Sequence, residues 1–357
     1  MSSFFPLPIA AKKQETEDAV SISFLIPDEL KDKFQYKAGQ YLTLEVDVNG
    51  EKLRRAYSLC SCPLTDDLLT VTVKKVKGGR VSTLLNGPLQ LGQTLYVMPP
   101  EGRFTPDIQA SHTKHYMLFA GGSGITPMMS IIRTVLKAEP KSAITLVYAN
   151  RNKHSVIFKE ELEQLSRDEK NRFTLVHVWE KADLFWSGGI KGRLTSDIVK
   201  KLVQKNQKPG LTAEFYICGP KPMMDIVKDA LISSGIPESA VHIEYFSAPV
   251  SESEKKAPAG TTANAEGCNM KLKLGGKEYD VFVKNKKTIL SAAQEAGLDP
   301  PYSCEAGICS TCMAKVISGK VRMIENNILT RKEVSEGYVL TCQALCESPE
   351  VTVEYYD

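Results

Sequence analysis

The sequence predicts a multidomain fold: an antiparallel β-barrel, an α/β domain built on a parallel sheet, and an α+β domain with a β-grasp order of elements. Three observations carry this. Up to about residue 107, short runs alternate apolar and polar residues. From about residue 114 the apolar runs become continuous and are interleaved with helical stretches. Residues 248–266 lack the apolar content to fold at all. The predicted units are 1–110, 111–247, a linker at 248–266, and 267–357. A chain of 357 residues exceeds what one ordinary core serves, in keeping with several units.

In the first unit, Val20–Phe24, Tyr41–Val46 and Leu69–Val73 alternate with period two between turn signals, the pattern of short strands in a small antiparallel barrel. In the second, Tyr116–Ala120 and Ala143–Tyr148 are unbroken apolar runs, as strands covered on both faces require. A glycine turn and a helix follow the first run, a helix in Ile157–Leu165 follows the second, and Phe173–Val178 and Phe215–Ile217 add two strands. The linker holds one Val and no aromatic residue, so it reads as a flexible tether. Beyond it, strands Met270–Leu274 and Tyr279–Val283 flank Gly275-Gly276, and a helix over Ile289–Ala296 ends at Gly297 as its C-cap.

The last unit carries Cys304, Cys309 and Cys312 in the spacing C-x4-C-x2-C, with Cys342 much later in Leu340-Thr341-Cys342-Gln343. That is the plant-type ligand pattern of a 2Fe–2S cluster. A structural zinc is the alternative, although zinc sites favour two similar hooks rather than three thiols in one loop. Small residues and Gly307 between the thiols let the backbone wrap closely, so that N–H groups can face sulfur. Such a cluster moves single electrons, so it needs a donor and an acceptor.

Upstream, Gly121-Gly122-Ser123-Gly124-Ile125-Thr126-Pro127 lies between a strand and a helix. Its glycines permit close approach of a ligand, Pro127 suits the first helical position, and the helix N-terminus would face a pyrophosphate. The bland reading is a tight turn with no ligand. Tyr216-Ile217-Cys218-Gly219-Pro220 ends a buried strand at the same sheet edge, where doubly wound domains bind ligands. Met223 and Met224 read as core of the next helix, and Cys60 and Cys62 as structural thiols. In the barrel, Arg55 and Tyr57 share one strand face and Ser58 follows. They offer a cation for a phosphate, a ring for stacking and a hydroxyl for a heterocycle; an ordinary exposed strand face is the alternative. Lys77-Gly78-Gly79-Arg80-Val81-Ser82-Thr83 offers N–H groups and hydroxyls to phosphates.

Taken in this order along the whole chain, these motifs resemble the ferredoxin–NAD(P) reductase superfamily fused to a C-terminal plant-type 2Fe–2S ferredoxin. Among fused members the similarity is greatest to oxygenase reductases of the phenylacetyl-CoA epoxidase and steroid hydroxylase kind; benzoate-type reductases place the ferredoxin first. The resemblance implies cofactors FAD, a 2Fe–2S cluster and NADPH or NADH, with a terminal oxygenase or hydroxylase as partner. It implies that Arg55 holds the flavin pyrophosphate, Tyr57 stacks on the flavin ring, Ser58 approaches its N5 atom, and Gly79, Val81, Ser82 and Thr83 bind its phosphates. Pro100–Phe104 matches the segment that favours FAD over FMN. Gly122, Gly124, Ile125 and Thr126 would bind the dinucleotide, Cys218 with Gly219 and Pro220 would lie near the nicotinamide, and Phe246 would cover part of the flavin. Ser58, Cys218 and Phe246 are thus the candidate catalytic residues, and Cys304, Cys309, Cys312 and Cys342 the candidate cluster ligands. Ala38 departs from the proline common in relatives, which touches nothing catalytic.

Electron counting gives the mechanism expected. A nicotinamide delivers two electrons together, the cluster accepts one, and a flavin between them converts one delivery into the other. Plant-type clusters near about −400 mV are low enough to drive oxygenase metal centres, and a tethered ferredoxin would carry the electron outward. For the coenzyme, Tyr148-Ala149-Asn150-Arg151-Asn152-Lys153 ends its strand with cations where NAD sites place an acid. NADPH is therefore expected, with Arg151 as phosphate contact, or else as a solvated loop residue.

Two further function classes fit less well: a standalone flavin oxidoreductase, for which no acid–base constellation is evident, and a non-catalytic zinc-stabilised interaction module. With 45 basic and 42 acidic residues and no basic stripe, no nucleic-acid partner is expected. No apolar run is long enough to span a bilayer. Nine cysteines without an export signal point to the cytoplasm.

Overall fold

The structure is a computed structural model that describes residues 4–181, 188–246 and 267–355; the expected linker at 248–266 lies outside the described residues. The chain divides into two compact units, Phe5–Phe246 and a C-terminal one.

The first unit begins with six strands, β1 (Phe5–Thr16), β2 (Ala19–Phe24), β3 (Tyr41–Val48), β4 (Glu51–Ser58), β5 (Leu69–Lys74) and β6 (Thr94–Val97), with helix α1 (Arg80–Leu85) before β6. They lie in the order β4-β3-β6-β1-β2-β5, with every neighbouring pair antiparallel. The ends meet just past β4, where Leu59 bridges Val71 and Cys60 N–H donates to Thr70 O at 2.9 Å, so the sheet closes into a barrel. Its core takes the expected alternating residues, among them Val20, Ile22, Phe24, Leu42, Leu44, Val71 and Val73. The intervening polar residues are not a solvated face. Ser21 and Thr72 are buried and share a 2.8 Å hydrogen bond, and buried Glu45 and Arg54 pair at 2.9 Å.

From β7 (Lys114–Gly121) onward the chain alternates: α2 (Ile125–Ala138), β8 (Ala143–Asn150), α3 (Lys159–Asp168), β9 (Phe173–Trp179), β10 (Ile190–Lys191), α4 (Ser196–Asn206), β11 (Thr212–Cys218), α5 (Lys221–Ser233) and β12 (Val241–Glu244). The sheet is parallel, in the order β10-β9-β8-β7-β11-β12. Tyr116, Leu118 and Ala120 of β7 pack with α2 and α3, whereas Met117 and Phe119 pack with α4 and α5. Helices on both faces explain the unbroken apolar strands. Because β8 and β11 flank β7, the crevice beyond β7 and β11 is the switch point where such sheets bind ligands. Helix α3 starts at Lys159, later than its expected start at Ile157, because Phe158 is in the left-handed region at φ 58°.

The second unit holds β13 (Cys268–Leu274), β14 (Lys277–Val283), α6 (Ile289–Glu295), β15 (Met313–Ser318), β16 (Val321–Met323), α7 (Arg331–Ser335), β17 (Tyr338–Leu340), β18 (Ala344–Cys346) and β19 (Glu350–Glu354). A mixed sheet runs β14-β13-β19-β15-β17, beside a β16-β18 pair. Gly275 and Gly276 both take positive φ, the two-residue hairpin turn that glycine permits. The cysteine loop spans the gap from α6 to β15. Among the described residues no helix is long and apolar enough to cross a membrane.

Candidate functional site

Three strand ends meet in the first unit. Ser58 is the last residue of β4, Glu244 the last of β12 and Cys218 the last of β11. Cys218 and Glu244 are register partners, and Ser58 Oγ donates to Glu244 Oε2 at 3.3 Å, which ties the barrel to the parallel sheet. The Cys218 thiol is fully buried, and burial pushes its pKa well above the ordinary value, so it stays a neutral thiol. Burial also pushes Glu244 up to about 8, against a smaller lowering by the Ser58 hydroxyl. A hydroxyl, a thiol and a carboxyl that holds its proton near neutrality thus share one point. Phe246 follows two residues later and is 41% exposed.

The glycine turn serves this junction by its lack of side chains. A Cβ on Gly124 would stand 2.1 Å from Cys218 O, and one on Gly219 would stand 2.9 Å from Gly121 N. The two βα turns therefore touch backbone to backbone, with Pro220 over Gly121. Gly122 has φ 54°, and its carbonyl accepts from Tyr148 Oη at 3.0 Å. Ile125 and Thr126 are buried in the first turn of α2, where Thr126 Oγ1 donates to Ser123 O at 3.1 Å. Pro127 is third in α2 rather than first, still within the turn whose N–H groups lack intrahelical acceptors. Met224 is buried and Met223 packs against the same core. Cys60 and Cys62 are buried too.

On the barrel side, Arg55 is exposed and its Nη1 donates to Arg54 O at 2.6 Å. Tyr57, two residues on, is partly buried, and burial raises its phenol pKa. Gly79 precedes α1; a Cβ there would lie 2.5 Å from Ser82 Oγ. That hydroxyl accepts from Val76 N at 3.1 Å and donates to Gly79 O at 3.3 Å, so it shapes the turn from within. Val81 is buried and Thr83 exposed on α1. Arg151, past β8, is 63% exposed and meets Asp18 of the barrel at 3.3 Å; Lys74 shares that carboxylate at 3.6 Å. A 920 Å³ groove lined by Tyr36, Pro63, Thr105, Thr134 and Ala138 opens at the opposite end of α2, away from these strand ends.

In the second unit the four thiols of the motif gather. Cys309, Cys312 and Cys342 are buried and Cys304 is partly so. Cys309 Sγ lies 3.1 Å from Cys304 Sγ, Cys342 contacts Cys312, and Ala306 N–H donates to Cys304 Sγ at 3.4 Å. Neighbouring thiols and backbone N–H groups together hold Cys304 far below the ordinary thiol range. An all-sulfur donor set with amides aimed at sulfur fits an anionic iron–sulfur cluster. Glu305, in the left-handed region at φ 52°, and Gly307 at φ 69° let the loop fold back on its sulfurs.

Residues 6–105 match the oxidoreductase FAD-binding domain family, 118–229 the oxidoreductase NAD-binding domain family, and 272–347 the 2Fe-2S iron-sulfur cluster binding domain family. Over 356 residues the chain is 36% identical to a subunit of the 1,2-phenylacetyl-CoA epoxidase of Escherichia coli (strain K12), covering 99% of this chain and 98% of that one. It is 37% identical to the ferredoxin reductase component of 3-ketosteroid-9-alpha-monooxygenase of Rhodococcus rhodochrous, covering 98% and 96%. The chain belongs to the oxygenase reductase family. A solved structure of phthalate dioxygenase reductase superposes on this reductase with a TM-score of 0.60 at 25% identity, covering 99% and 98%. The reductase is therefore an NAD(P)H-dependent flavin and iron–sulfur oxidoreductase, with FAD, pyridine nucleotide and 2Fe–2S domains in that order.

Glu244 is the functional candidate to which the motifs gave no role. In the sequence it is only a carboxylate two residues before Phe246. Its hydroxyl partner lies 186 residues away, beyond any local pattern.

Proposed function

We propose that the reductase takes a hydride from NADPH at the meeting of β4, β11 and β12 and passes single electrons to the cluster held by Cys304, Cys309, Cys312 and Cys342. The observation that carries this is the Ser58–Glu244 hydrogen bond beside Cys218. It gathers a hydroxyl donor, a protonated carboxyl and a neutral thiol at the sheet's switch point. FAD, when bound, supplies the exchange between a hydride and single electrons. Ser58 orients its reacting edge, and burial lets Glu244 hold a proton beside that hydroxyl. Arg55 and the first turn of α1, with Gly79, Val81, Ser82 and Thr83, hold its phosphates, while Tyr57 and Phe246 flank its ring.

Gly122, Gly124, Ile125 and Thr126 receive the coenzyme pyrophosphate, and Cys218-Gly219-Pro220 forms the floor under the nicotinamide. Arg151, exposed and loosely paired with Asp18, meets the 2′-phosphate that distinguishes NADPH. In the cluster loop, backbone N–H groups on sulfur stabilise the added charge. The acceptor is an oxygenase component of the phenylacetyl-CoA epoxidase kind, with a steroid hydroxylase as second reading, and the setting is the cytoplasm. Turnover of the FAD- and iron-loaded protein with NADPH and NADH, alone and with each purified oxygenase, tests this. Higher kcat/KM with NADPH and product formation only with an epoxidase component are expected; equal coenzyme use or transfer to neither oxygenase contradicts it.

A further inference from the structure

Behind the cysteine loop runs a buried hydrogen-bond chain that the electron route above does not use. Tyr355 follows β19, and its N–H donates to Lys273 O at 3.0 Å, which fixes its backbone to β13. Its ring lies in the core at 5% exposure. Its hydroxyl donates to Thr341 Oγ1 at 2.7 Å. Thr341 is fully buried, and its own hydroxyl donates to Cys312 O at 3.0 Å, alongside a 3.1 Å bond from its N–H to the same carbonyl. The Thr341 carbonyl accepts from Leu290 N at 3.1 Å, at the start of α6.

Each O–H in this chain points its positive end toward the segments that carry Cys312 and Cys342. Burial raises the Tyr355 phenol pKa far above any working pH, so it remains a donor. A hydroxyl that accepts one hydrogen bond donates the next more strongly. Reduction adds one negative charge to the cluster, so a positive dipole end beside two ligands favours the reduced state.

We propose that Tyr355 is a positioning residue that acts through Thr341 to hold the Cys312 segment and to raise the cluster's reduction potential. This rests on the assignment of the four cysteines as ligands. Tyr355→Phe keeps the ring and removes one acceptor–donor link, leaving the Thr341 hydroxyl still paired with Cys312 O, so the variant folds.

The test is a redox titration of the cluster in the full FAD- and iron-loaded chain, followed by visible absorption and by the spin resonance of the reduced cluster. Tyr355→Phe lowers the one-electron equilibrium constant for reduction by about threefold to tenfold, or about 28–59 mV. Thr341→Val lowers it at least as much, the double variant goes no further than Thr341→Val, and Thr341→Ser, which restores the hydroxyl, stays near wild type. Unchanged or raised potentials in Tyr355→Phe and Thr341→Val, or shifts that add in the double variant, overturn the proposal. A Cys342→Ser control separates it from its foundation: wild-type cluster bands in that variant overturn the ligand assignment itself.

Discussion

The cysteine loop of the second unit and the strand-end junction of the first place function in different parts of the chain. In the loop, chemistry rests on side-chain atoms. Three of four thiols fall within nine residues, Cys304 to Cys312, and the backbone bends around them. At the junction it rests on backbone proximity. Gly124 and Gly219 matter because nothing projects from them, and Ser58, Cys218 and Glu244 arrive from three separate strands. The loop should thus fail outright when one atom is changed. The junction should fail through packing, in proportion to the crowding introduced.

Cys342→Ser carries the largest expected effect: loss of the cluster's visible absorption, with flavin bands and flavin reduction by NADPH retained. Retention of both electron-transfer steps would erase the contrast between the regions. Gly124→Ala comes next. Its Cβ meets backbone that cannot rotate away, so we expect about 2–3 kcal/mol or more of destabilisation and a steep rise in coenzyme KM, with cluster content unchanged. Thermal unfolding and steady-state kinetics check both parts.

Arg151→Ala should lower the preference for NADPH over NADH by about tenfold, about 1.4 kcal/mol, through KM rather than kcat; an unchanged ratio removes Arg151 from the site. The remaining effect concerns pH. Burial raises the Glu244 pKa from 4.5 to about 8 in the folded state, so the folded chain binds the extra proton between those values. Its contribution to stability is complete below pH 4.5 and declines as pH rises toward 8. Glu244→Gln should flatten that decline, so the difference in melting temperature between variant and wild type should shift in the variant's favour from pH 5 to pH 8. A difference that stays constant with pH contradicts the raised pKa.

Local periodicity made most of the architecture legible. Residues 116–120 read as a buried strand because both faces of β7 are covered, and the cysteine spacing read as a cluster because that loop is short and contiguous. Other features depended on contacts distant in sequence. β1 spans Phe5–Thr16 with Pro6 and Pro8 inside it, residues that ordinarily argue against a strand. It persists because it pairs with β6 along one part and with β2 along another, with register shifts near Ile9 and Gln14. The stretch from Gly78 reads as a phosphate loop, yet α1 begins at Arg80, and Ser82 Oγ is engaged by Val76 and Gly79. Glu244 meets Ser58 only across the fold. The Tyr355–Thr341–Cys312 chain joins three segments of the second unit that share no pattern.

The most direct test of one electron route through both regions is anaerobic addition of NADPH to the FAD- and iron-loaded chain, followed at the flavin band and by spin resonance of the cluster. The predicted result is flavin bleaching followed by a reduced-cluster signal, with bleaching alone in Cys342→Ser. Flavin bleaching in the wild-type chain with a cluster that only dithionite reduces would contradict it.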